Sequence, residues 1–181
     1  EWHHNQTPMN QQIRILQGIN KHIYDTIMEQ DASASPQIFY SMENNTIGEA
    51  ALLRVMDIGE ENIQGMFLSE PIRKGHRRKF RRGFNTTAKF KIDACTKFKE
   101  LVEGGKMKIN SQLLISELKD FVASGLSFKA KPGQHDDLVS ACLLMTRMMK
   151  VLADFDPKIF EKWTDRTSEL TPMPIFGSFT G

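Results

Sequence analysis

Apolar residues in this chain recur at helical spacing in some segments and collapse into short unbroken β-prone runs in others, and the two patterns alternate. Ile13, Ile15, Leu16, Ile19, Ile23 and Ile27 predict a first helix running to about residue 28. Asp31 to Pro36 breaks it. Residues 37–42 then read as a short buried strand that delivers Glu43 at its C-terminal end. Asn44-Asn45-Thr46 offers caps for a helix over 47–56. A second strand is expected over 63–68, and Thr86 and Thr87 precede a helix stopped by Gly104-Gly105. Residues 107–109 read as a short strand, 113–122 as a helix and 126–130 as another strand. The last helix opens at Asp136 or Asp137 and runs to about residue 152. Such alternation implies an α/β layered domain.

The length of 181 residues fits one compact domain with a sizeable core, and 40% of the residues are hydrophobic. No run of 18 uncharged apolar residues is present, so a membrane partner is not expected. The beginning, Glu1-Trp2-His3-His4-Asn5, has neither an initiator Met nor a signal-peptide pattern, as expected of an excised or processed portion of something longer. Cys95 and Cys142 sit alone on helical patterns and read as reduced core thiols, which leans towards an intracellular protein. The expected organisation is one domain over 1–155 followed by a tail over 156–181.

The formal net charge of +2 conceals a strong asymmetry. Residues 73–99 hold 11 Lys/Arg and one acid, Asp93, leaving 13 Lys/Arg against 21 acids elsewhere. Arg73, Lys74, Arg77, Arg78, Lys79, Arg81 and Arg82 are the densest phosphate-binding candidates, with Lys89, Lys91 and Lys97 extending the surface onto the following helix. These side chains would position DNA without reading its bases. A solvated charged surface, or a face for an acidic protein, fits the same residues. Phe80 and Phe84 interrupt the charges, either as base-stacking rings or as anchors to the core.

The acids carry the chemistry. Strand ends in α/β domains place polar groups in a crevice outside the sheet, where Glu43 could meet Asp136 and Asp137. Phosphodiester cleavage needs an activated water and relief of charge, which two Mg²⁺ or Mn²⁺ ions held by hard carboxylates provide. Equally, Glu43 could be a solvated strand-end charge, and Asp136 and Asp137 ordinary capping and first-turn residues. His135 could orient water or phosphate, or satisfy a backbone carbonyl.

Three blocks in order resemble the nuclease domain of the large terminase subunit of T4-like tailed bacteriophages. Met42-Glu43-Asn44-Asn45-Thr46-Ile47-Gly48 resembles the segment with that family's strand-end catalytic glutamate. Thr86-Thr87-Ala88-Lys89 and the helix after it resemble the central helical region. Gly133-Gln134-His135-Asp136-Asp137-Leu138-Val139 is the closest motif, and the resemblance runs from about residue 5 to 150. It implies an RNase H-like fold, a mixed central sheet flanked by helices, lacking its first strands in this chain. It also implies a metal-dependent endonuclease that cuts double-stranded viral DNA in headful packaging. By this resemblance Glu43 and Asp137 ligate catalytic metal, with Asp136 a neighbouring ligand or charge-tuning residue. The implied partners are double-stranded DNA, the terminase ATPase domain, the portal protein and the small terminase subunit. The implied location is the cytoplasm of the infected bacterial host, transiently at the procapsid portal.

One departure matters. The family's first catalytic Asp stands on an opening strand, and no Asp precedes Glu43 in an equivalent position; Asp25 falls in a helix and Asp31 in the loop after it. The chain also lacks a Gly-x-x-x-x-Gly-Lys-Ser/Thr phosphate loop. A non-catalytic DNA-binding or motor-docking fragment is therefore the main rival reading. An RNase H-like junction resolvase is a third.

Overall fold

The computed structural model describes residues 6–71 and 82–155. Five α-helices and four short strands occur among them, a mixed α/β composition with helices beside two two-stranded sheets. The chain divides into two compact units, one built from residues 4–85 and the other chiefly from residue 86 onward.

In the first unit, α1 (Met9–Gln30) packs on α2 (Thr46–Ile58). Between these helices and strands β1 (Phe39–Tyr40) and β2 (Met66–Phe67), Ile13, Tyr40, Leu52, Val55, Ile63 and Phe67 form a common core. Asn45 caps α2 by accepting the Gly48 N–H at 2.7 Å, as its position before the apolar run predicts. The buried side chain of Asn20 donates to the Gln64 carbonyl at 2.8 Å, pinning α1 to the turn before β2.

The strand expected over 37–42 is shorter because the chain changes partner midway. Tyr40 pairs in parallel with Phe67, and the Tyr40 carbonyl accepts the Leu68 N–H at 2.9 Å. Two residues later the Met42 carbonyl accepts from Phe84 instead. The second expected strand, over 63–68, contracts to two residues because the chain bends through 63–65, with Gly65 at φ 115°, and extends only at Met66–Phe67.

The second unit contains α3 (Ala88–Glu103), α4 (Gln112–Asp120), β3 (Phe121–Ser124), β4 (Ser127–Ala130) and α5 (Asp137–Phe155). Its core joins Ala94 and Phe98 of α3, Leu114 of α4, and Val139 and Leu143 of α5. Thr87 caps α3 and Ser111 caps α4, each by accepting a first-turn N–H.

Two sequence expectations are corrected here. Residues 107–109 do not form a strand: the Met107 N–H is spent on the Leu101 carbonyl at the end of α3, while Met107 and Ile109 pack against the core. The helix expected over 113–122 ends at Asp120, and Phe121 and Val122 turn into an antiparallel hairpin with β4. Gly125, at φ 59°, supplies the positive dihedral that the two-residue turn needs. The Phe121 and Phe128 rings stack across the hairpin at 6.0 Å. Strands pair within each unit, β1 with β2 and β3 with β4, so the described residues form no single central sheet.

No helix among the described residues is long and apolar enough to cross a membrane.

Candidate active site

Glu43 belongs to the first unit and the Asp136-Asp137 pair to the second. Backbone bonds on both sides fix Glu43. The Phe84 N–H donates to the Met42 carbonyl at 3.0 Å, and the Asn44 N–H donates to the Phe84 carbonyl at 2.7 Å. Glu43 and Phe84 thus form an isolated parallel bridge. Glu43 is half-buried as a residue, and its carboxylate accepts the exposed side-chain amide of Asn45 at 3.2 Å. Asn45 therefore serves twice, capping α2 with its oxygen and steadying Glu43 with its nitrogen.

Phe84 is 1% exposed, so it is a core anchor and not a base-stacking ring. Arg82 is similarly committed to the first unit. Its guanidinium pairs with Glu60, lies 5.1 Å from the centre of the Phe67 ring, and its carbonyl accepts the Asn44 side chain at 2.8 Å. Burial pushes the nearby Tyr40 hydroxyl above its ordinary pKa, and the charge of Arg82 partly opposes that rise. Arg73, Lys74, Arg77, Arg78, Lys79, Arg81 and Phe80 lie outside the described residues. Lys89 is exposed in the first turn of α3.

The two adjacent aspartates have different surroundings. Asp136 immediately precedes α5 and is partly buried. Its Oδ2 accepts from Lys91 Nζ and from the Ala130 N–H, each at 3.3 Å. The Lys91 ammonium also lies 5.2 Å from the centre of the Phe121 ring. Asp137 begins the helix with a side chain 64% exposed, and its Oδ2 is 3.9 Å from His135 Nδ1. His135 thus stands beside a carboxylate.

The α5 N-terminus is capped from a distance. Glu117 of α4 accepts the backbone N–H groups of Leu138 at 2.8 Å and Val139 at 3.1 Å. Those groups belong to the first turn, whose N–H donors lack intrahelical partners. With Glu117 in that role, Asp136 is released to bridge α3, the end of β4 and the start of α5.

Neither Glu117 nor Lys91 stood out as part of this arrangement in the sequence. Each acts on a residue more than twenty positions away, beyond the reach of a local capping pattern. The Arg147 guanidinium, 4.9 Å from the centre of the Phe90 ring and donating to Thr86 at 3.3 Å, was likewise invisible.

Glu43 and Asp137 carry hard oxygen donors of the kind that suits Mg²⁺ or Mn²⁺. Asp136 fits less well, because an ammonium already neutralises it. Among the described residues, no group of three or more His, Cys, Asp and Glu side chains is arranged to hold a metal ion. No protein-family model matches the chain.

Proposed function

We propose that this chain is most of a metal-dependent DNA endonuclease domain from a viral packaging motor, of the kind it resembles in large terminase subunits. The observation that carries this reading is the unequal treatment of the two aspartates. Asp137 is exposed at the start of α5 while its neighbour is held by Lys91 and Ala130, which suits Asp137 to ligand duty. The parallel bridge and the Asn45 contact that fix Glu43 just beyond β1 support the same reading.

In this proposal Glu43 and Asp137 hold the metal, His135 steadies the Asp137 carboxylate, and Asp136 positions the helix start. Bound Mg²⁺ or Mn²⁺, two ions in a complete site, would supply charge relief at the attacked phosphodiester and an activated water. Arg73, Lys74, Arg77, Arg78, Lys79, Arg81 and Lys89 would grip the phosphate backbone of double-stranded DNA, while Arg82 stays with Glu60 and Phe67. An RNase H-like sheet, the motor's ATPase domain, the portal and the small subunit belong to this proposal, as does action in the infected host cytoplasm.

A second reading, a DNA-binding or motor-docking fragment without catalysis, draws on the ion pair that already neutralises Asp136.

The test is nicking of supercoiled plasmid in Mg²⁺ or Mn²⁺ by this chain and by an upstream-extended form. Cleavage by either one, lost in Glu43→Gln and Asp137→Asn proteins that keep the wild-type circular dichroism spectrum, is the expected result. Undiminished cutting by both substituted proteins would reject the assignment. DNA binding without cutting by both lengths would favour the second reading.

A further inference from the structure

We propose that Glu60 is a positioning residue for Glu43 that acts through Arg82: their ion pair holds residues 82–84 in the register that moors the Glu43 peptide. This inference rests on the metal-dependent reading above, in which Glu43 holds the cation.

Glu60 opens the 3₁₀ turn Glu60–Asn62 that follows α2. Its carboxylate pairs with the Arg82 guanidinium, which also lies 5.1 Å from the centre of the Phe67 ring. The aromatic face favours the cation and narrows the directions in which it can leave. The Arg82 backbone is held as well, since its carbonyl accepts the buried Asn44 side chain at 2.8 Å. One residue on, the Gly83 N–H donates to Ser69 Oγ at 3.0 Å and the Gly83 carbonyl accepts the Glu70 N–H at 3.1 Å. Gly83 has φ 80°, and a Cβ there would stand 2.5 Å from the Met42 carbonyl oxygen. The chain therefore passes Met42 at close range before Phe84 makes both backbone bonds that bracket Glu43.

The Arg82 and Glu60 side chains are 33% and 34% exposed, so solvent screens their attraction only in part. An arginine at the end of a basic run has a competing use, because a polyanion attracts the same guanidinium. Glu60 settles that competition inside the protein. It keeps the guanidinium on Phe67 and the Arg82 peptide beside Asn44. Removing its charge loosens Arg82, and the slack passes through Gly83 to the Phe84 peptide.

The experiment follows amide hydrogen exchange of the full chain by NMR, alongside plasmid cleavage. Glu60→Gln is expected to speed exchange of the Asn44 and Phe84 amides roughly two- to tenfold. The Val55 amide, inside α2 of the same unit, is expected to keep its wild-type rate, whereas a general loss of stability would speed all three alike. In an Arg82→Gln background Glu60→Gln is expected to add nothing, because its route runs through the missing guanidinium. Glu60→Asp keeps the charge one methylene short and is expected to show a smaller rise at the same two amides, which preserves the test if Glu60→Gln fails to fold. In a form that cuts DNA, Glu60→Gln is expected to lower kcat by a like factor without raising KM for the plasmid.

Unchanged exchange at Asn44 and Phe84, or an equal rise at Val55, would overturn the proposal. So would a full additional effect of Glu60→Gln in the Arg82→Gln protein. If the two amides open but kcat holds in a form that cuts DNA, Glu60 is not a positioning residue and the nuclease reading stands. If they open selectively and neither the chain nor its extended form cuts DNA, the nuclease reading fails while the hold of Glu60 and Arg82 on the Glu43 peptide stands.

Discussion

Glu117, near the end of α4, and Leu138, in the first turn of α5, are joined by a 2.8 Å bond from the backbone N–H of Leu138 to the Glu117 carboxylate. The same oxygen takes the Val139 N–H at 3.1 Å, so one side chain caps a helix to which it does not belong. A carboxylate at this place also complements the positive end of the helix dipole.

Glu117→Ala leaves two first-turn donors without their acceptor at a half-buried position. The expected loss is about 1–2 kcal/mol, in line with removal of a strong helix cap. Glu117→Gln keeps one amide oxygen as acceptor and should lose less. Urea unfolding followed by circular dichroism measures both. An unfolding midpoint unmoved by Glu117→Ala would show that water replaces the carboxylate at no cost.

Gly48 tests the seating of Glu43. A Cβ placed on Gly48 would come 1.7 Å from the Glu43 carbonyl oxygen, a backbone atom with little room to retreat. Gly48→Ala should therefore cost about 1–3 kcal/mol or more, by overpacking and not by lost helix propensity. Alanine is otherwise the better helix former, so a stabilised protein would refute the close approach. In a cleavage-competent form, the same substitution should also depress cutting by shifting the Glu43 peptide.

Cys95 supplies a pH-dependent prediction. Burial raises its thiol pKa above the ordinary value, and the charge of Lys91 opposes part of the rise. The neutral thiol is thus favoured in the folded chain relative to the unfolded one. Its contribution to stability is fully present below the unfolded thiol's pKa and is lost as pH rises through the higher folded value. Cys95→Ser should flatten the alkaline side of the stability–pH profile, and native Cys95 should alkylate more slowly than the thiol of an unfolded chain at the same pH. Equal alkylation rates in native and denatured protein would contradict this.

The helices were readable where a cap and an apolar period agreed. Asn45 before α2 and Thr87 before α3 are examples, and the start of α5 was placed to within one residue. The chain from α4 into β3 was not readable, because its apolar run continues from Leu113 to Val122 with nothing before Gly125 to announce the change of conformation. Stacking of Phe121 on Phe128 settles that stretch as a hairpin, a cross-strand contact that no local window contains. Residues 107–109 misled in the opposite sense, since β-prone side chains there serve packing while the Met107 N–H serves α3.

The sequence names the acids but not their surroundings. Adjacent Asp136 and Asp137 look equivalent in sequence; Lys91 from another helix distinguishes them. Arg82 looked like one more phosphate ligand in a basic run, yet Glu60 and Phe67 give it a packing role that depends on distant residues.

The bridge between Glu43 and Phe84 ties the root of the basic segment to the backbone of an acid far earlier in the chain. Both peptide groups flanking Glu43 bond to Phe84, which is itself sunk in the core. A shift of the Phe84 peptide is therefore delivered directly at that carboxylate's mooring. The bridge joins residues far apart in the chain, so its two backbone bonds form at a cost in closure entropy that the burial of Phe84 helps to offset.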